Sequence, residues 1–370
     1  MQTGNRPSAH ITPADLAAAA REAGLDLAAA LPVGPSPKWE AYRDWLARGY
    51  AGDMAYLGRA DAIHRRQNPR HIMPDAKSVL VVAASYAGPP TPPLGPPHPS
   101  AASASLPLLP LHGRVSRYVW GPTSEAGIDY HRWLLKRLKT LIRRLEGIIG
   151  QPITARAYVD TGPVLERAWA QAAGLGWTGK NTMLIHPLLG SFTFLGVAFL
   201  DIPLAATPPQ ALPNCGTCTR CIDACPTGAL VAPGVLDARR CLSYLTIEHR
   251  GPIPEPYRAA MGTRLFGCDI CQDVCPWNRK PLAAHEGEVI PDLASLYLPD
   301  LLALDKASFR ARFRRTPIWR ATPDGLARNA AIVLGNLGDP EARPYLEQAT
   351  AHHPSVVVRD SAAWALAQLK

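Results

Sequence analysis

A chain of 370 residues, 47% of them hydrophobic, has room for two or three domains with cores of their own. Its net charge of +9 and sequence pI of about 9.2 favour an anionic partner such as nucleic acid, or else a basic surface that serves only solubility. The N-terminal segment carries Asp15 and Arg21 and lacks a signal-peptide core, and the apolar run Ser191 to Leu204 is short and interrupted by Asp201. A soluble cytoplasmic protein with no membrane partner is therefore expected.

In chain order, residues 13–31 (PADLAAAAREAGLDLAAAL) read as a helix opened by Pro13 and Asp15. SVLVVAASYA, 78–87, reads as a buried strand. Residues 89–112 are too rich in proline for a helix or a central strand and read as a surface insertion. Residues 129–147 form an amphipathic helix ending at Gly147, its leucines facing a core and its Lys and Arg side chains facing solvent. ARAYVD, 155–160, is a short strand ending on Asp160, VLERAWAQAAGLG is a helix, and SFTFLGVAFL is a second strong strand. Residues 1–205 thus read as a mixed α/β layer domain. Within it GLGWTG, from Gly174 to Gly179, fits the dinucleotide fingerprint. It follows a helix and leads into a strand, the reverse of what that motif needs, so a helix end and a tight loop are expected instead.

Next comes CGTCTRCIDACP, with Cys215, Cys218, Cys221 and Cys225, and then CDICQDVCP, with Cys268, Cys271 and Cys275. Seven of the eight cysteines of a cytoplasmic chain in two tight runs call for metal or redox chemistry rather than disulfides. Structural zinc is the plain alternative, but the third cysteine and the trailing proline belong to runs that wrap cubane iron–sulfur clusters. In two-cluster ferredoxins the last cysteine of each run ligates the other cluster. The count then gives one cluster Cys215, Cys218, Cys221 and Cys275. The other takes Cys225, Cys268 and Cys271, and Cys241, in RRCLSYLTIEH, supplies the missing ligand; the alternative for Cys241 is an ordinary buried thiol. Residues 206–290 read as a two-cluster ferredoxin-like domain.

Residues 291–370 read as helical repeats of HEAT type, because RNAAIVLGNLGD from Arg328 and RDSAAWALAQL from Arg359 match at helical spacing. From Lys306 to the end there are ten Lys or Arg against five Asp or Glu. That suggests a nucleic-acid surface if the arginines share a face, and a plain helical cap if they do not. The overall class is α+β.

The cysteine runs with LSYLTIEHRGPIP between them, the segment VDTGPVLERAWAQAAGLGWTGKN and the C-terminal repeats together resemble the epoxyqueuosine reductase family, over nearly the whole chain. The insertion at 89–112 and PTSEAG before Asp129 are longer than that family leads one to expect. The resemblance implies reduction of epoxyqueuosine to queuosine at the tRNA wobble position. It also implies a cobalamin cofactor beside the clusters and an external electron donor. No Asp-x-His-x-x-Gly run is present, so a cobalamin would bind without an axial histidine from that motif. Asp160 would be the proton donor, with burial raising its pKa toward neutrality, and would also touch the corrinoid; the alternative is a cap on the helix starting near Pro163. By the same carry-over Arg66, Ser116, Gly179, Leu184, Leu195 and Ser243 would contact the corrinoid, although Leu184 and Leu195 also suit plain core packing. His249 would lie near tRNA. Lys180 and Arg167 could hold corrinoid amides or RNA phosphates. The rival functions are a corrinoid iron–sulfur reductase of a small molecule, dehalogenase-like, and a plain two-cluster electron carrier.

Overall fold

The computed structural model describes residues 11–87, 109–120, 129–208, 211–279 and 293–369. Helix α1 (Pro13–Glu22) opens on a capping box, in which the Thr12 hydroxyl accepts from Asp15 N–H and the Asp15 carboxylate accepts from Thr12 N–H. It does not continue to residue 31 as the alanine-rich sequence suggested. Gly24 turns the chain at φ +74°, and Leu27–Pro32 form strand β1. β1 pairs antiparallel with β2 (Ser78–Ser85), and the Asp26 carboxylate accepts from Ser85 N–H at 2.7 Å. Tertiary pairing overrides the helix propensity of alanine here.

Strand β3 (His112–Val115) follows, then α2 (Tyr130–Ile149), β4 (Ala155–Tyr158), α3 (Glu166–Ala172) and β5 (Thr193–Leu200). α2 runs through Gly147 and ends instead at Gly150, which adopts φ +71°. The main sheet has the order β1-β2-β5-β4, antiparallel throughout. Alternate residues of β2 serve opposite faces. Leu80, Val82 and Ala84 pack with Leu16 of α1 and Leu134 and Leu138 of α2. Val79, Val81 and Ala83 pack with Trp169 and Ala170 of α3. The sheet is thus a central layer with helices on both faces.

In the second half, α4 (Leu242–Ile247), β6 (Arg264–Phe266) and β7 (Ser295–Tyr297) precede three helices, α5 (Pro323–Leu337), α6 (Arg343–His352) and α7 (Val356–Gln368). β3 forms the middle of a small sheet, between β6 and β7. Leu111 is buried and His112 opens β3, so the proline-rich segment ends before them; residues 88–108 and 121–128 lie outside the described residues. The repeated segments lie on α5 and α7, which approach so closely that a Cβ on Gly335 would stand 2.7 Å from Ala365 Cα. Leu111, Val115 and Trp120 share one core with Leu245 and Phe266 and with Leu326, Ile332 and Ala362. The described residues on either side of 290/291 thus share an interior, and that boundary itself lies outside the described residues.

Arg328, with no exposed surface, ties the repeats to the cluster region. Its guanidinium donates to the carbonyls of His249 (2.9 Å), Gly251 (2.6 Å) and Leu245 (2.7 Å). Burial lowers its pKa to about 10. This arginine faces inward, so it does not contribute to a basic outer surface. Among the described residues no helix is long and apolar enough to cross a membrane.

Candidate active site

The chain leaves β4 at Tyr158, and Asp160 takes a left-handed conformation, φ +55°. A non-glycine residue there costs roughly 1–2 kcal/mol, least for Asp and Asn. Gly162 completes the turn, since a Cβ on it would stand 2.4 Å from the Tyr158 ring. α3 starts only at Glu166, with Leu165 as its N-cap residue and no side-chain cap bond, so Asp160 is not a helix cap.

Its carboxylate turns instead to the start of α2. Asp160 Oδ2 accepts from the Tyr130 hydroxyl at 2.9 Å and faces His131 Nε2 at 3.2 Å, and His131 Nδ1 is hydrogen-bonded to Asp129. Asp129 also caps α2, accepting from His131 N–H at 2.9 Å. The Tyr130 ring lies on Phe194 at 4.4 Å between centroids, which fixes its hydroxyl. Burial works against a charged His131, but the bonds to Asp129 and Asp160 raise its pKa to about 9. The Asp160 side chain is 60% exposed, so the desolvation that pulls its carboxyl upward is limited, and the His131 bond and charge, Tyr130 and Arg320 leave it lowered. The expectation that burial raises Asp160 toward neutrality is thereby overturned. At neutral pH the proton sits on His131, a residue the sequence reading missed; its signal was the pair Asp129 and His131 at the mouth of a strong helix.

Glu166 was missed as well. Its Oε1 is buried with no hydrogen-bond partner, and burial, with the Asp160 charge nearby, raises its pKa to about 8.

The cysteines gather in two places. Cys215, Cys218, Cys221 and Cys275 line one open pocket, together with Lys180, Asn181, Arg220 and Trp277. Cys241 lies within electrostatic reach of Cys225, Cys268 and Cys271. Burial raises the Cys221 thiol to about 11 and the Cys268 thiol to about 12. Among the described residues no three His, Cys, Asp or Glu side chains converge on a single ion position. A cubane does not ask for that, because each thiolate binds its own iron.

The remaining expected residues are spread around these centres. Ser116 Oγ donates to Asp269 at 2.5 Å beside Cys268, packed so tightly that a Cβ on Gly267 would stand 2.4 Å from the Ser116 Cβ. Gly179 lies in the loop between two short strands, Trp177–Thr178 and Leu184–Ile185, and a Cβ there would stand 2.5 Å from Ile185 Cδ1. Gly176 has its backbone against the Ile185 carbonyl, which accounts for the glycine-rich run without a dinucleotide. Leu184 is buried in the core under α3, and Leu195 packs against the same cluster. Arg66 is buried and reaches the Leu57 carbonyl at 3.4 Å. Ser243 is half-buried on α4. Lys180 donates to the Gly216 carbonyl at 2.7 Å, and Arg167 to the Thr182 carbonyl at 2.5 Å. His249 has both ring nitrogens engaged, Nδ1 with Asp53 at 2.7 Å and Nε2 with the Pro252 carbonyl at 3.1 Å.

Known proteins fit this arrangement. Residues 214–278, which hold all eight cysteines, match the family described as 4Fe-4S double cluster binding domain. Residues 66–161 match Epoxyqueuosine reductase QueG, DUF1730, and residues 326–352 match PBS lyase HEAT-like repeat. The chain is 39% identical over 365 residues to an epoxyqueuosine reductase of Xanthomonas campestris pv. campestris, covering 98% of each. It is 39% identical over 326 residues to that of Pseudomonas aeruginosa, covering 87% of this chain and 84% of the relative. Its fold is similar to that of epoxyqueuosine reductase from Streptococcus thermophilus, with TM-score 0.82, 28% identity, and 97% and 90% of the two chains covered. A crystal structure of epoxyqueuosine reductase with an epoxyqueuosine-modified tRNA-Tyr stem loop matches with TM-score 0.81 at 32% identity, covering 96% of this chain and 89% of that one. A carboxylate backed by a histidine, a double-cluster cysteine set and these similarities lead to one assignment: the chain belongs to the epoxyqueuosine reductase family.

Proposed function

We propose that this chain reduces epoxyqueuosine to queuosine in tRNA, using two 4Fe-4S clusters and a bound cobalamin, with Asp160 and His131 delivering the proton. The observation that carries the reading is the Asp129–His131–Asp160 arrangement in a chain of this family. Removing an epoxide oxygen to leave a double bond consumes two electrons and two protons and releases water. The corrinoid and the clusters, when bound, supply the low-potential electrons.

The chain's own residues do the rest. One quartet, Cys215, Cys218, Cys221 and Cys275, would hold a cluster in the open pocket beside Lys180 and Arg220, where it would be accessible to an outside donor. Cys225, Cys241, Cys268 and Cys271 hold the second. The buried unpaired Oε1 of Glu166 suits a corrinoid, whose rim presents amide N–H donors. Arg66, Ser116, Gly179, Leu195 and Ser243 complete that site, and Leu184 supports the Gly179 loop from the core. The proton held on His131, which Asp129 keeps in the required orientation, is relayed through the Asp160 carboxylate to the departing oxygen, and solvent supplies the second proton of the water released. His249, tied to Asp53, shapes the tRNA side of the cleft through its loop.

Mass analysis of epoxyqueuosine-containing tRNA after incubation with the loaded protein and reductant tests the reading. Loss of one oxygen mass from the modified nucleoside is expected. An unchanged mass with both cluster and corrinoid absorption present would sink it.

A further inference from the structure

Tyr56 stands on the short helix Ala55–Gly58, the residue 40% exposed. An exposed aromatic ring is ordinary by itself. This one is fixed from behind. The Arg320 guanidinium lies over it, 5.5 Å from the ring centroid, and donates to the Tyr56 hydroxyl at 3.0 Å. Arg320 is held in turn by an ion pair with Glu248 at the end of α4. Below, the Leu57 carbonyl accepts from the Tyr42 hydroxyl at 2.8 Å and from Arg66 at 3.4 Å, which fixes the backbone next to Tyr56. Three distant parts of the chain meet at this ring. The Asp160 carboxylate lies within electrostatic reach of both Tyr56 and Arg320.

A ring held rigid, with a guanidinium against it and exposed surface remaining, is the arrangement that stacks an unpaired nucleobase. Rigidity matters because little side-chain entropy remains to be lost on binding. The position matters because the base to be reduced must leave its stack to reach Asp160, and its neighbours then need a new surface to stack on.

We propose that Tyr56, backed by Arg320, is the stacking platform for an anticodon-loop nucleotide adjoining the modified base, and so positions that base at Asp160. This rests on the function proposed above and adds to it a positioning residue for the RNA. The rival is a purely structural Tyr56, whose hydroxyl only ties Arg320 in place.

The test uses the full chain with clusters and corrinoid loaded, and an anticodon stem-loop RNA carrying 2-aminopurine beside the modified position. Binding should quench the fluorophore with the wild type and with Tyr56→Phe, which keeps the ring and loses the hydrogen bond. Tyr56→Ala should not quench, should bind the stem loop about tenfold or more weakly, and should raise KM for tRNA more than it lowers kcat, with cluster and corrinoid absorption unchanged. Wild-type affinity and quenching in Tyr56→Ala would overturn the proposal. So would a loss in Tyr56→Phe equal to that in Tyr56→Ala, since the hydrogen bond and not the ring would then matter. A wild-type protein that binds and quenches but removes no oxygen leaves the platform standing and removes the proposed function instead.

Discussion

His131 Nε2 lies 3.2 Å from Asp160 Oδ2, and the other nitrogen of the same ring is hydrogen-bonded to Asp129. One imidazole therefore bridges two carboxylates, and the proton it holds has a direct path onto Asp160. Burial opposes the charge on His131, but its two partners hold its pKa at about 9, while Asp160 is lowered. The His131 contribution to stability is thus fully present below the ordinary histidine range near ~6.5 and is lost as pH rises through about 9. The Asp160 contribution has the opposite sense, present above the ordinary carboxylate range and lost as pH falls through its lowered value.

Replacing Asp129 with Asn should lower the His131 pKa and move the alkaline limb of kcat/KM to lower pH. The His131 titration followed by NMR should shift with it. A limb that stays in place would show that His131 does not recharge Asp160.

Asp160→Asn keeps the shape of the side chain but cannot take up a proton from His131 and release it as a carboxylate does. Turnover should fall by at least about 10²-fold, with iron content and corrinoid binding unchanged. Full activity in this variant would remove Asp160 from the chemistry.

The ligand partition makes opposite forecasts for two single cysteines. Cys241→Ala should cost the second cluster and about half the iron, leaving the cluster at Cys215 intact. Cys275→Ala should damage the cluster at Cys215, although Cys275 lies beside Cys268 and Cys271 in the sequence. Iron analysis with EPR of the reduced protein separates the two, and unchanged iron in Cys241→Ala would refute the assignment.

Gly162→Ala places a methyl 2.4 Å from the Tyr158 ring and 2.7 Å from the Tyr158 Cβ, which cannot swing away, in the turn that sets Asp160. Overpacking of this kind costs about 1–3 kcal/mol. The variant should melt earlier and lose activity while retaining its clusters. An unaltered melting temperature and rate would show that the turn relaxes freely.

Arg328→Met should strand the carbonyls of Leu245, His249 and Gly251 inside the protein. A loss of more than about 3 kcal/mol is expected from denaturant unfolding. Arg328→Lys should not restore it, because one ammonium cannot match the planar fork. The repeats and the cluster region should unfold in one transition, since they share a core.

The sequence by itself determined what depends on spacing along the chain. Cysteine intervals and the trailing prolines announced two clusters, and the continuous apolar run SVLVVAAS and the apolar face of α2 announced a buried strand and its covering helix. It misread residues 27–32, because alanine favours a helix locally while pairing with Val79 to Ala83 is a long-range gain that no local pattern records. It found Asp160 only through family likeness and gave it the wrong electrostatic setting. The sign of a pKa shift depends on which charges face the group, and His131 reaches Asp160 from another element across the tertiary fold. Tyr56, Arg320 and Glu248 show the same limit: each is unremarked where it stands in the chain, and only packing brings the three to one place.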